Sequence, residues 1–175
     1  MIGSVPEQSG LTAMLRRVWR AVVPIEDSRD GPLPAILLAL TVVTGLVDAF
    51  SYLVLGHVFV ANMTGNIVFL AFGLAGAPDF SIPASLLGIV AFIVGAAAGG
   101  RLSRLATHRG RLLASAAAVE AALFGTAVVT VTGRDAASEV ARFVPIALLA
   151  VAMGVQNATA RRLAVAAGEI GRAHV

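Results

Sequence analysis

Five apolar runs separated by short polar stretches make up most of the chain. In lipid an α-helix satisfies its own backbone hydrogen bonds, and about 20 apolar residues at about 1.5 Å each cross the hydrocarbon core. The pattern therefore predicts an all-α, polytopic transmembrane helix bundle with about five spans and no β-sheet. The predicted segments are 33–55, 58–76, 82–100, 112–132 and 143–160.

The polarity of the two ends divides the chain into three parts. Residues 1–32 are polar and mixed in charge, and their spacing favours either an amphipathic surface helix or a partly ordered tail. Residues 33–168 form the transmembrane helical domain. Residues 169–175 read EIGRAHV, the in-frame translation of a common sequencing adapter. We expect that tail to be non-native and the natural protein to be longer.

One helix face of the first run is polar. Thr41, Thr44, Asp48 and Ser51 are spaced three and four residues apart, with Tyr52 beside them. A carboxyl at this depth costs roughly 2.5–3.5 kcal/mol on insertion scales, so it must face protein or a water-filled cavity. We therefore expect Asp48 to face the bundle interior near the second run. It could take up and release a proton during transport, or it could be a neutral residue that only holds the helices together through hydrogen bonds.

The second run opens with polar residues. Asn62 and Asn66 lie one turn apart, with Thr64 and Gly65 between them, and Gly56-His57 breaks the preceding helix. Polar groups and glycine in an apolar segment can mark an unwound or re-entrant stretch that coordinates an ion or substrate. They can equally be interhelical hydrogen bonds worth about 0.6 kcal/mol each. Both interpretations stay open at this point.

Small residues form a seam along the third run, with Gly88, Gly95 and Gly99 among them. Small residues three and four apart let helix backbones approach closely, so the seam predicts a packing face. It is also a candidate surface for a homo-oligomer.

The arginines predict the orientation of the chain. Residues 101–111 hold four arginines and no acid, which places this stretch in the cytoplasm by the positive-inside rule. If every segment crosses, the N-terminus lies outside, whereas a re-entrant 58–74 segment would put it in the cytoplasm. The sequence slightly favours full crossing.

Three more polar residues lie within later runs: Glu120, Gln156 and Asn157. Together with Asp48, Ser51, Tyr52, Asn62, Thr64 and Asn66 they are the candidates for a substrate or ion pathway.

Composition agrees with a membrane protein and excludes several function classes. Hydrophobic residues make up 58% of the 175 and charged residues 13%, and all 13 basic residues are arginine. No basic stripe interleaved with aromatics appears, so we expect no nucleic-acid partner. The chain has no cysteine and no HExxH, GxSxG or paired-acid motif. We therefore predict no catalytic residues, no metal site and no cofactor.

Two short motifs repeat near the ends of two spans. GLVDA at 45–49 and GVQNA at 154–158 share the pattern G-[LV]-x-[DN]-A. This similarity indicates an internal repeat of the kind from which transporter folds are built, although five positions can also match by chance.

These same stretches carry a family resemblance. TGLVDAFSYLVLGHVFVANMTGN at 44–66 and MGVQNATARRL at 153–163 resemble the YoaK-type family of bacterial membrane proteins, which carry a domain of unknown function. The resemblance implies a polytopic protein of the bacterial inner membrane with six or so helices, and it brings no established activity or substrate. It also implies a Thr-rich stretch and at least one more helix after the second motif, which this chain lacks.

Two functions remain in competition. The polar residues within apolar spans favour a small transporter or permease-like protein that moves a small solute or ion. The alternative is a membrane scaffold or subunit in which the same residues only hold helices together.

Overall fold

The chain is described here by a computed structural model that covers residues 10, 12–14, 33–105, 108–132 and 139–172. Beyond residue 32 these residues form five α-helices and no strand, which confirms the all-α prediction. The amphipathic helix predicted within 1–32 lies outside the described residues, apart from helical backbone at 10 and 12–14. The five helices are α1 (Leu33–Val54), α2 (Met63–Leu74), α3 (Ile82–Leu105), α4 (Arg109–Thr132) and α5 (Glu139–Arg172).

The helix bounds differ from the predicted ones, which followed the apolar runs, wherever an apolar run is not helical or a helix continues into polar residues. The second helix begins at Met63, five residues later than the apolar run, because 58–62 is unwound. The arginine-rich stretch 101–111, which lies between two predicted segments, is mostly helical, since α3 continues to Leu105 and α4 starts at Arg109. The helix continues past the apolar run because arginine and leucine are good helix formers. The mean hydropathy therefore falls before the helix itself ends.

The last helix is also longer than predicted at both ends. It includes Glu139–Arg142, which lie between the predicted segments 112–132 and 143–160, and the helical backbone continues through Arg172. Residues 133–138 between those segments and residues 173–175 of the tail lie outside the described residues.

The core of the bundle is the close contact between α3 and α5. Gly95 lies against the backbone of Val151, and Gly99 lies against that of Val155, so the two helices run parallel. Gly154 of α5 lies in turn against the α3 backbone at Phe92. This confirms the predicted packing face. Because the chain's own α5 covers Gly95 and Gly99, and Asn66 contacts Gly88, this seam is not free for the predicted contact with a second copy.

Helix α1 runs antiparallel to α5. Thr44 contacts Gln156, and Gly56, just past the end of α1, lies against Arg142 near the start of α5. The sequence motifs at 45–49 and 154–158 therefore point in opposite directions. Full crossing of all five segments would have given them the same direction.

Residues 55–80, the re-entrant segment, enter and leave the bundle at the same end. The His57 ring Nδ1 lies 3.1 Å from the carbonyl oxygen of Asp79. Between these points the segment reaches inward, where Asn66 packs on Gly88, about 9 Å along α3 from its start.

The length of α2 agrees with this course. Its 12 residues span about 18 Å, short of the roughly 30 Å hydrocarbon core. The other four helices are long and apolar enough to cross a membrane. The slight preference for five full crossings is therefore wrong, and the re-entrant alternative describes the segment.

Candidate functional site

The carboxyl group of Asp48 binds three consecutive backbone amides of the re-entrant segment. Its Oδ1 accepts hydrogen bonds from the N–H groups of Val60 at 2.9 Å and Ala61 at 2.8 Å, and its Oδ2 accepts one from Asn62 at 2.9 Å. Asp48 is only 8% exposed and lies about 9 Å before the end of α1. The structure thus places Asp48 inside the bundle and beside the second segment, as predicted.

Asp48 supplies hydrogen-bond acceptors for the N–H groups of the unwound backbone. Residues 58–62 have left helical geometry, so their N–H groups have no partner four residues earlier in the chain. Without water nearby each unsatisfied group would cost several kcal/mol. The single carboxyl group of Asp48 accepts hydrogen bonds from three of these backbone N–H groups, and this holds the unwound stretch against α1.

Asn66 holds the same stretch from the other side. Its Oδ1 accepts from the Phe59 N–H at 2.8 Å, and its Nδ2 donates to the Phe59 carbonyl at 2.7 Å. The amide therefore satisfies both backbone groups of one residue, as a neighbouring strand would. A Cβ at Gly88 would lie 3.0 Å from the Asn66 Nδ2 and 3.2 Å from the Phe59 carbonyl oxygen, so glycine makes room for this pair.

The two turns of the re-entrant segment close the ends of α1 and α2 in the same way. The His57 N–H donates to the Tyr52 carbonyl at 3.0 Å, and the Ala77 N–H donates to the Phe72 carbonyl at 3.0 Å. Gly56 at φ 93° and Gly76 at φ 88° precede these donors, which is the Schellman arrangement that glycine permits. These bonds satisfy the carbonyls of Tyr52 and Phe72 near the ends of the two helices.

Aromatic rings brace the segment near its entry. Tyr52 lies 5.6 Å from Phe59 and 5.7 Å from Phe69, centroid to centroid, and Phe69 lies 5.0 Å from Phe80. Pairs at such distances add about 0.5–1.5 kcal/mol each beyond burial. Tyr52 therefore contacts the re-entrant segment through two aromatic rings.

A cleft of about 290 Å³, the polar cleft, opens between α1 and α5 beside the unwound stretch. Ala61, whose N–H binds Asp48, reaches the cleft wall, so the Asp48 network and the cleft share a boundary. The cleft is lined by Leu37, Leu40, Thr41, Thr44, Ala61, Phe92, Met153, Gln156, Asn157 and Ala160.

The polar cleft has hydrogen-bonding groups left over. Gln156, 7% exposed, donates through Nε2 to the Thr44 hydroxyl at 3.1 Å, and that hydroxyl donates to the Leu40 carbonyl at 2.7 Å. Within the described part of the chain, the Gln156 Oε1 and the half-buried Asn157 amide make no hydrogen bond. The cleft can therefore still bind a partner through one acceptor and one amide.

The structure gathers most of the predicted site residues in two adjoining places. Asp48, Tyr52 and Asn66 contact the unwound stretch 58–62, and Ser51 joins them through its hydroxyl, which donates to the Asp48 carbonyl at 3.0 Å. Asn62 caps α2 by accepting from the Gly65 N–H at 3.2 Å. Gln156 and Asn157 line the polar cleft.

Two candidates do not join them. Thr64 is exposed on the first turn of α2, and Glu120 is half-buried on α4 and lines neither the polar cleft nor the unwound stretch. In the described ranges no three His, Cys, Asp or Glu residues cluster as metal ligands would.

Sequence reasoning missed the donors at this site, because they are backbone groups. Two of these donors are the backbone N–H groups of Val60 and Ala61, whose apolar side chains do not indicate a polar contact in the sequence. The available clue was the glycine at 56, which breaks α1 just before them.

Comparison with known proteins supports the family resemblance that the two sequence motifs indicated. The chain is 34% identical over 134 residues to the UPF0700 transmembrane protein YoaK of Bacillus subtilis (strain 168), a match that covers 74% of the chain and 56% of that relative. The chain thus spans about half the length of the curated relative. No solved structure gives a significant match.

The transmembrane relative and the four long apolar helices identify the chain as an integral membrane protein of unknown function. The model of a family described as "Protein of unknown function (DUF1275)" matches residues 36–175, which include both sequence motifs. The chain belongs to this family.

Proposed function

We propose that the chain forms part of a small permease-like transporter in the bacterial inner membrane, with the polar cleft as its solute site. The observation that carries the proposal is the shared wall between the cleft and the unwound stretch. Ala61 lines the cleft, while its N–H binds the Asp48 carboxyl at 2.8 Å. Transporters commonly place their sites where a broken helix meets other helices inside the membrane.

The chemistry of the lining favours an uncharged polar solute. The ten lining residues include four with polar side chains and none with a charge. An ion would leave its hydration shell for a site without an opposite charge, whereas a neutral solute needs only matching hydrogen bonds. The Gln156 carbonyl oxygen and the Asn157 amide offer such bonds. A volume of about 290 Å³ is at the lower end for ligand sites, which suits a solute smaller than a drug molecule.

Asp48 acts in this proposal as a positioning residue. Its three hydrogen bonds fix residues 60–62, including the Ala61 wall of the cleft. Protonation of the carboxyl would remove its charge and weaken all three bonds, since bonds to charged acceptors are the stronger ones. Proton uptake would then loosen the re-entrant segment and change the shape of the cleft.

A scaffold role is the second candidate, and one observation favours it. Asp48 and Asn66 are already satisfied by backbone groups of their own chain, as residues with a purely structural role would be. The unpaired groups of Gln156 and Asn157 favour the transporter instead. An enzymatic activity is not part of the proposal.

The test is solute flux into proteoliposomes containing the chain, with the full-length relative from Bacillus subtilis as a parallel reference. Stopped-flow light scattering would follow urea, acetamide and glycerol, and fluorescent indicators would follow Na⁺ and K⁺. We expect flux of an uncharged solute that Gln156→Leu combined with Asn157→Leu abolishes.

Thr159→Val is the matched control for this experiment. Thr159 is buried on the same helix, its hydroxyl has no partner within the described residues, and it lies outside the cleft lining. Flux of ions alone would keep the transporter and overturn the uncharged solute. Absence of any flux above empty liposomes would contradict transport and favour the scaffold.

A further inference from the structure

A second cleft, the arginine cleft, lies between α3 and α5 near the C-terminal end of α3. It has a volume of about 300 Å³. Among the described residues, three arginines from two helices line it, and the other polar side chain in its wall is that of Ser103, whose hydroxyl donates to the Gly100 carbonyl at 2.8 Å. The lining residues are Gly100, Ser103, Arg104, Ala158, Arg161, Arg162 and Val165.

The positive charge of this cleft is not neutralised by the acids whose side chains the structure describes. These acids are Asp48, Asp79 and Glu120, and none lines the cleft. Arg104 lies in the last turn of α3, where the partial negative charge of the helix end accounts for one cation. That explanation does not extend to Arg161 and Arg162, which precede the end of α5 by about ten residues.

The three arginines are exposed on the wall of the cleft, and an anion bound between them would reduce the repulsion of their like charges. Guanidinium groups bind phosphate oxygens through paired N–H donors, and basic pockets between transmembrane helices are known sites for anionic headgroups. The apolar surroundings indicate where the anion comes from. Leu105 is 81% exposed directly after Arg104, and Val165 in the cleft wall is 54% exposed. Both surfaces are suited to contact with an acyl chain.

We propose that the arginine cleft binds the phosphate group of an anionic glycerophospholipid, with Arg104 and Arg161 as ligands from the two helices. The bound lipid bridges the last turn of α3 and the part of α5 around Arg161, and it lies at the opposite end of the bundle from the mouth of the re-entrant segment. The site is separate from the polar cleft, so it does not depend on transport.

Positive-inside topology alone would also put arginines at this end of the bundle, and two of them offer an internal comparison. Arg101 and Arg111 are exposed on α3 and α4, near the same end, yet neither lines the cleft. General attraction to an anionic surface treats all these arginines alike, whereas a built site distinguishes them.

The experiment measures lipid retention by native mass spectrometry of the chain, taken from vesicles of equal parts phosphatidylglycerol and phosphatidylcholine. We expect selective retention of phosphatidylglycerol. Arg104→Gln combined with Arg161→Gln should weaken it about tenfold or more, since this variant loses the charge-assisted guanidinium–phosphate hydrogen bonds from both helices. Arg101→Gln combined with Arg111→Gln removes the same charge and should change retention less than about threefold.

Three results would overturn the proposal: equal loss in both double variants, no preference for phosphatidylglycerol, or displacement of the lipid by millimolar inorganic phosphate. The last would assign the cleft to free phosphate. Should the cleft variant fail to fold, Arg104→Lys combined with Arg161→Lys keeps both charges. Intermediate lipid retention by that folded variant would support the site, and full loss would contradict a charge-based one.

Discussion

The re-entrant segment and the α3–α5 pair lie in one bundle but are held by different interactions. Residues 58–62 are fixed by side-chain hydrogen bonds to backbone, from Asp48 on one side and Asn66 on the other. The α3–α5 contact has the opposite character, because glycines at 95, 99 and 154 let one backbone lie directly on the other.

The difference follows from what each backbone lacks in lipid. A helix has already satisfied its hydrogen bonds, so association depends on steric fit, and small residues give the closest fit. An unwound stretch has unsatisfied N–H groups, so it persists only where polar side chains reach it. Removing a hydrogen-bond acceptor should therefore damage the first region, and adding a methyl group should damage the second.

The largest expected effect is at Asp48. Asp48→Ala leaves the buried Val60 N–H and the part-buried Ala61 and Asn62 N–H groups without an acceptor. A buried group left unsatisfied costs about 1–3 kcal/mol, so we expect a total destabilisation of about 3 kcal/mol. The measurement is the unfolding midpoint and monodispersity in detergent. Asp48→Asn should be milder, since its amide oxygen can still accept two bonds. Asp79→Ala, at an exposed aspartate, is the control, and equal behaviour of the two alanine variants would refute the capping role.

The next effect tests the steric region. A Cβ on Gly95 would clash with the Val151 carbonyl, so Gly95→Ala must push α3 and α5 apart. We expect a loss of about 1–3 kcal/mol, the usual range for overpacking. Gly125→Ala is the matched control, because that glycine has open space around it on α4. If Gly95→Ala were as stable as Gly125→Ala, backbone contact would not be what holds these helices.

A smaller effect is expected in the polar cleft, between the two regions. Gln156→Leu removes one side-chain hydrogen bond to Thr44, and such intramembrane bonds average about 0.6 kcal/mol. Stability should fall by about that amount or less, while solute flux should be lost. A loss of several kcal/mol measured in the same unfolding assay would assign Gln156 to the scaffold instead.

The last prediction has no expected effect on stability and concerns the side on which each region opens. With the re-entrant segment not crossing, the N-terminal end of α1 and the arginine cleft lie at one end of the bundle. The positive-inside rule then puts that end in the cytoplasm. The chain has no cysteine, so Asp79→Cys and His108→Cys can be labelled without background. We expect an impermeant maleimide to reach position 79 but not 108 from the periplasm, and the reverse pattern would invert the topology.

The sequence alone determined the helices, the glycine seam and the requirement that Asp48 face protein. These features are visible because helical periodicity and the cost of a charge in lipid act over a few residues of chain. The sequence could not distinguish an unwound stretch at 58–66 from a helix that forms interhelical hydrogen bonds, because both require the same polar residues.

Only the tertiary structure decided which groups those polar residues contact. Asp48 binds amides 12 to 14 residues away, and Gln156 binds a threonine 112 residues away. The re-entrant course of 55–80, the opposite directions of the two motifs and the convergence of Arg104 with Arg161 all depend on such distant contacts. Local periodicity carries no record of them, because a backbone N–H is present at every residue but proline and acquires a role only when folding brings an acceptor to it.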